Sequence, residues 1–240
     1  MMKRGTIQDD VIHSKELDED IPILIYVPAD FSPMFTYSFL ICQDGKDYFQ
    51  MGRLPRVADE LLEQEEIENM IIVGIPYNNK NDRREKYHPD GNKQKAYIRF
   101  LAHEVVPYLD EKFPGHNVSF GRALAGDSLA ATVSLMTALE YPNLFGKVLM
   151  HSPYVDSTVM NAVETADDAH HLSLYHVIGT GETEVKMTNG ETADFLTPNR
   201  ALHLLLLMKK FDYFYDEFDG GHVWTHWQPD MKRALSIMFE

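Results

Sequence analysis

Apolar residues along this chain fall into two alternating patterns. Short runs rich in β-branched and aromatic residues occupy 21–27 (IPILIYV), 37–43 (YSFLICQ), 70–76 (MIIVGIP), 117–125 (NVSFGRALA), 147–152 (KVLMHS), 174–179 (LYHVIG) and 212–218 (DYFYDEF). Runs of this length, bounded by turn-forming residues, predict strands. Between them, 54–66, 94–112, 129–141, 198–210 and 226–239 space their apolar residues as helices do, and Pro or Gly opens or closes several of them. Near-continuous apolar strands alternating with helices predict βαβ units, hence an α/β fold with a mostly parallel sheet covered on both faces. The longest stretch with neither pattern, 77–92 (YNNKNDRREKYHPDGN), is polar and follows a strand. It reads as a long loop, and loops of that length in a compact domain are often functional.

Composition narrows the picture. A chain of 240 residues with 44% hydrophobic residues can bury one large core, so a single domain over 1–240 is expected. No internal repeat, low-complexity tract or linker divides it. The formal net charge of −15 would repel nucleic-acid phosphates and anionic membrane surfaces, so neither is expected as a partner. One cysteine, Cys42, cannot form an internal disulfide, and the opening MMKRGTIQDD has no apolar core of a signal segment. A cytoplasmic protein without a membrane span is expected. Homo-oligomerisation stays open.

The chemistry centres on AGDSLAA (125–131). If FGRALAG is a buried strand and LAATVSLMTALEYP a helix, Ser128 sits on a sharp strand-to-helix turn. Such a turn demands small residues two before and two after the nucleophile, and Gly126 and Ala130 supply them, in a G-x-S-x-A variant of the usual G-x-S-x-G. The same turn would aim the helix N-terminus, with the Leu129 N–H, at the place where an attacked carbonyl oxygen gains charge. A serine between strand and helix is also an ordinary N-cap, so the turn alone does not decide.

Of the 11 histidines, His222 stands apart. It follows a Gly-Gly turn after the last candidate strand and precedes the last helix, and the order serine, acid, histidine is that of α/β-hydrolases. His151, His170, His171 and His226 read as strand-end or surface residues. No H-E-x-x-H or similar ligand spacing occurs, so no metal is expected.

Gly126-Asp127-Ser128-Leu129 also spells the signature of the GDSL hydrolases, and Asp219 with His222 imitates their D-x-x-H pair. In that family the block follows the first strand, and a later G-x-N-D block supplies an oxyanion-hole Asn. Here Ser128 lies mid-chain behind several candidate strands and G-x-N-D is absent, which disfavours the rival.

LICQDGKDYF, AGDSLAATVSLMTALEYPNLFGKVLMHSPYV, VIGTGE and GGHVWTHW together resemble the putative esterase family of α/β-hydrolases, which includes enterochelin esterases, esterase D-like enzymes and mycolyltransferases. The likeness runs from about residue 37 to 227. It implies an α/β-hydrolase fold and a serine carboxylesterase that acts on a small-molecule ester through an acyl-enzyme without a cofactor. Residue by residue it implies Ser128 as nucleophile, His222 as base, and the backbone N–H groups of Leu129 and Lys46 as oxyanion hole. Glu182, at the end of VIGTGE, is the preferred acid, with Glu184 and Asp194 as alternatives; Asp219 is too close to His222 along the chain. The departures are Ala130 and the carboxylate of Asp127 beside the serine. Trp224 and Trp227 would wall the site or pack the last helix. A siderophore esterase, whose anionic substrate wants a basic cleft, is a second reading, for which Arg83, Arg84, Lys86 and Arg122 are the candidate cations or else surface charges paired with acids. A hydrolase fold kept only as a binding module is a third.

Overall fold

The computed structural model of the chain describes residues 3–166, 171–187 and 190–240. Its frame is an eight-stranded sheet in the spatial order β1-β2-β4-β3-β5-β6-β7-β10. In chain order these strands are β1 (Thr6–Ser14), β2 (Glu19–Val27), β3 (Ser38–Gln43), β4 (Met70–Ile75), β5 (Arg122–Asp127), β6 (Lys147–His151), β7 (Ser173–Gly179) and β10 (Asp212–Phe218). The short pair β8 (Val185–Lys186) and β9 (Thr192–Ala193) lies between β7 and β10 in the chain and forms its own ribbon. β1 to β2 and β2 to β4 are antiparallel; every other pairing in the large sheet is parallel. The helices are α1 (Gly45–Gln50), α2 (Leu54–Glu63), α3 (Lys80–Tyr87), α4 (Gln94–Phe100), α5 (Val106–Lys112), α6 (Leu129–Glu140), α7 (Ser157–Thr165), α8 (Leu196–Met208) and α9 (Trp224–Phe239).

The central strands bury both faces, which is why they read as unbroken apolar runs. In β3, Phe39 and Ile41 join one core, with residues of α4 to α8, while Leu40 and Cys42 join the other, with residues of α1, α2 and α9. The α/β-hydrolase arrangement expected from the sequence is therefore present.

Several local expectations need correction. β1 was not predicted: most of TIQDDVIHS is exposed on an edge, so no apolar run marks it. Residues 117–121 are not strand; a short 3₁₀ turn at Ser119–Gly121 leads into β5. The predicted helix 94–112 is α4 and α5 joined by a π turn at Leu101–Val105, close before Pro107, the second residue of α5, whose ring and missing N–H disturb the regular ladder. The stretch 77–92 is not a plain loop. It contains α3, capped by Asn79, whose side chain accepts the Asn81 and Asp82 N–H groups at 3.0 Å. α1 and α7 were also not predicted.

Candidate active site

Ligand sites of parallel α/β sheets lie beyond the carboxyl ends of the strands, and there the chemistry-bearing residues converge. β5 ends at Asp127 and α6 begins at Leu129, leaving Ser128 alone to make the turn. It does so at φ 54° and ψ −125°, a strained conformation for a residue with a Cβ, costing of the order of 1–3 kcal/mol. The surroundings hold it there. The Ser128 N–H donates to the His151 carbonyl at 2.9 Å, and the Ser128 carbonyl accepts from the N–H groups of Thr132 at 3.1 Å and Tyr154 at 3.3 Å. A Cβ at Gly126 would stand 2.1 Å from the Ala130 carbonyl carbon, which is the steric reason for a small residue there. Although Ser128 occupies the N-cap position of α6, its side chain makes no capping hydrogen bond, so the ordinary capping role is not the one it plays.

The acid and the histidine come from the loops after β7 and β10. Gly181 N–H donates to the Gly220 carbonyl at 2.9 Å, and Thr180 N–H to that of Phe218 at 2.9 Å, tying the two loops together. Across this seam Glu182 Oε2 meets His222 Nδ1 at 2.6 Å. The Glu182 side chain is fully buried and that of His222 is 16% exposed. Glu182 Oε1 accepts from Ser152 Oγ at 2.6 Å and from the Gly179 N–H at 2.9 Å. With both carboxylate oxygens occupied, Nδ1 carries the imidazole proton and Nε2 presents a lone pair. Phe195 and Trp227 flank the imidazole, with ring centroids at 4.6 and 4.9 Å. Ser128, Leu129 and His222 line one cavity of about 750 Å³.

A family model described as "Putative esterase" matches residues 14–238. The chain belongs to the putative esterase family. It is therefore an esterase, a hydrolase of ester bonds. It is 51% identical over 236 residues, 98% of either chain, to the uncharacterized protein YjcH of Bacillus subtilis strain 168. A solved ferulic acid esterase superposes with a TM-score of 0.80 at 17% identity, covering 99% of this chain and 98% of that one. An enterobactin esterase from Shigella flexneri, solved with enterobactin, superposes with a TM-score of 0.84 at 17% identity, over 97% of this chain but 59% of the longer neighbour. Likeness at this identity establishes the fold.

Within this esterase the other candidates separate cleanly. Glu184 is exposed, and Asp194 Oδ1 accepts the Thr197 N–H at 3.1 Å at the start of α8, whose hydrogen bonding holds that carboxyl below its usual range. Asp219 is exposed too. Ser128 follows the fifth strand in the chain, unlike the GDSL arrangement. Leu129 and Lys46 stand first in α6 and second in α1, first-turn positions whose amides have no helical partner. Leu129 borders the cavity, whereas around Lys46 the bordering residues are Asp44, just before α1, and Asp47, within it. Gly45 is needed for packing: a Cβ there would meet the backbone of Gly74 and Ile75 at 2.2 Å. The left-handed residue of the D-G pair is Asp44, at φ 54°.

The histidines divide as well. His226 and His171 are exposed, and His170 lies outside the described residues. His151 is at a strand end but not on the surface: it is fully buried, between Tyr48 Oη at 3.2 Å and Asp230 Oδ2 at 3.1 Å. The two tryptophans fill both suggested roles. Trp227 is buried, donating Nε1–H to Ser152 Oγ at 3.0 Å, Trp224 packs on Tyr48 at 4.9 Å, and both line the cavity.

The residue that sequence reasoning missed is Ser152. Its φ of 48° and its place between Trp227 and Glu182 make it the support of the acid. The one sequence signal was a Ser-Pro pair after an apolar run. Three of the four candidate cations prove to be committed and buried, whereas Arg84 is half-buried, borders the cavity and lies 3.8 Å from Glu85. Arg83 Nη2 lies 2.6 Å from Asp44, Lys86 pairs with Asp82 at 2.9 Å and Glu19 at 3.1 Å, and Arg122 with Asp110 at 2.8 Å.

Proposed function

We propose that the protein is a serine carboxylesterase, acting as one domain over residues 1–240, with Ser128 as nucleophile, His222 as general base and Glu182 as the acid that orients it. The observation that carries this reading is the Glu182–His222 hydrogen bond of 2.6 Å, in the same cavity as a strained, uncapped Ser128. Ser128 Oγ attacks the ester carbonyl carbon while His222 Nε2 takes its proton. The Leu129 and Lys46 N–H groups receive the oxyanion. Collapse of the tetrahedral intermediate expels the alcohol with the proton held by His222, and water, deprotonated by the same imidazole, releases the acid. Every step uses side chains and amides of this chain, and no cofactor is invoked. Cys42 is buried and unpaired, which suits a reducing cytoplasm, where we place the protein.

The enterobactin-esterase neighbour favours a second reading, a siderophore esterase. Against it, Arg83, Lys86 and Arg122 are already matched by acids, which leaves Arg84, on the cavity wall 3.8 Å from Glu85, as the remaining candidate. A pure binding module is disfavoured because such a module has no use for backbone strain at Ser128 or a buried carboxylate behind His222.

The test is hydrolysis of p-nitrophenyl acetate or butyrate and labelling by a fluorophosphonate. Ser128→Ala should abolish both while the protein stays folded, and His222→Ala should lower kcat by ~10⁴ or more. Undiminished turnover in Ser128→Ala would overturn the assignment.

A further inference from the structure

β6 ends at His151, a residue that takes no step in the reaction. Its carbonyl accepts the Ser128 N–H at 2.9 Å, and so helps to hold the strained turn of the nucleophile. The next residue, Ser152, donates Oγ–H to Glu182 at 2.6 Å, and its own N–H is tied to the Val177 carbonyl of β7 at 2.8 Å. One peptide step therefore joins a support of the nucleophile to a support of the acid. Where the end of β6 lies decides both.

The His151 side chain is held from two directions. Alternate residues of a strand share a face, and Leu149, two before it, packs into the core formed with residues of α1, α2 and α9. An apolar residue at 151 would continue that layer; a fully buried imidazole has to be paired there. Its partners are Tyr48 Oη from α1, 3.2 Å from Nδ1, and Asp230 Oδ2 from α9, 3.1 Å from Nε2. Asp230 is itself fixed, with Tyr175 Oη at 2.8 and 2.7 Å from its two oxygens and Arg233 Nη2 at 2.6 Å.

The donors and acceptors of this chain have one consistent order. The Asp230 carboxylate only accepts, so Nε2 carries the imidazole proton and Nδ1 accepts from the Tyr48 hydroxyl. Burial holds the Tyr48 phenol well above its usual range, and it stays a donor. Apolar side chains would fill the same layer at a smaller desolvation cost, whereas a ring bonded at both nitrogens has a single orientation. That orientation is passed to the backbone of β6.

We propose that His151 is a positioning residue of this esterase: clamped between Tyr48 and Asp230, it fixes the end of β6 so that Ser128 and the Glu182–His222 pair stand at reacting distance from each other. The inference rests on the esterase reading above and adds a residue to it. His151 is fully buried and does not border the cavity. It acts through Ser128 and Ser152.

His151→Leu tests it, because it removes both hydrogen bonds and keeps an apolar group in the layer, while Asp230 retains Tyr175 and Arg233. On p-nitrophenyl butyrate kcat should fall by about 10–100-fold with KM within about twofold of wild type, since misplacing reacting groups by about 1 Å costs up to about 10² in rate. The second readout is the downfield proton resonance of His222 Nδ1–H, which reports its hydrogen bond to Glu182. It should shift or broaden in His151→Leu and return toward wild type, with most of kcat, in His151→Gln, whose amide can still donate to Asp230. A loss of stability alone lowers the folded fraction and leaves the resonance in place. If His151→Leu does not fold, Tyr48→Phe, which keeps the ring and removes one hydroxyl, decides the matter, and its kcat should fall several-fold. Wild-type kcat in the folded variant, a loss confined to KM, or a lowered kcat with an unmoved resonance would overturn the inference and leave the esterase reading standing. If the wild type hydrolyses no p-nitrophenyl ester, that reading falls and takes this inference with it.

Discussion

Glu182, the carboxylate proposed to orient His222, shows how little separates such a group from its neighbours in sequence. Glu182, Glu184 and Asp194 lie within one segment between β7 and α8, yet only Glu182 is buried with both oxygens engaged. Glu182→Gln keeps the shape and removes the charge that supports the imidazolium, so kcat should fall by ~10⁴, as removal of a triad acid does elsewhere. Glu184→Gln and Asp194→Asn should stay near wild type. If Asp219→Asn were instead the crippling change, the D-x-x-H pairing would be the working one. Ser152→Ala should lower kcat by ~10–100-fold, the weight of one hydrogen bond to a charged group, and leave KM almost unchanged, because Ser152 acts on the acid and not on the substrate. Equal kcat in Ser152→Ala and wild type would remove Ser152 from the mechanism. Ser128 and His222 could be picked out in the sequence because a tight turn and a Gly-Gly loop leave local marks. Ser152 could not, because its role arises only where β6, β7 and α9 meet.

At the scale of elements, the same logic separates what could be read from what could not. β3, β4 and β5 are buried at every residue, and β6 and β7 at all but the first, and each announced itself as an apolar run. α3 did not, because the side chains it buries are Arg83, Lys86 and Tyr87. It is docked through charge: the Arg83–Asp44 pair joins it to the turn before α1, and Tyr87 Oη accepts the Asp44 N–H at 3.4 Å. A helix held this way loses more from half a pair than from none. Arg83→Met leaves Asp44 buried with no counter-charge and should destabilise the protein by about 3–5 kcal/mol. Adding Asp44→Asn to Arg83→Met should recover part of that loss. Denaturant midpoints of the two single variants and the double variant measure the coupling, and additive losses would mean that the pair does not hold α3. Because Lys80, Arg83, Arg84 and His88 all border the cavity, α3 places the wall of the site as well as its own turn.

For the whole molecule the governing quantity is charge, and one part of its response to pH can be traced to a single buried group. At −15 the folded chain repels itself near neutrality, and acidification relieves this. Buried acids with raised pKa such as Asp127 act in the same direction, contributing stability at low pH that is lost as pH rises. His176 opposes them. It is fully buried between Tyr213 Oη at 2.6 Å from Nδ1 and Asn199 Oδ1 at 2.7 Å from Nε2, a pairing that suits the neutral ring with its proton on Nε2. Burial lowers its pKa from 6.5 to about 4. The unfolded chain therefore binds this proton first as pH falls. The stability His176 provides is fully present above about pH 6.5 and drains away down to about pH 4, a difference of ~3 kcal/mol at the full shift. Glutamine can accept from Tyr213 and donate to Asn199 without ever charging. His176→Gln should thus unfold at denaturant concentrations that fall less steeply than those of wild type between pH 6.5 and 4, whatever the two share from net charge and Asp127. Parallel curves across that window would show that the buried imidazole takes no part in the acid response, and would move its cause to the surface carboxylates.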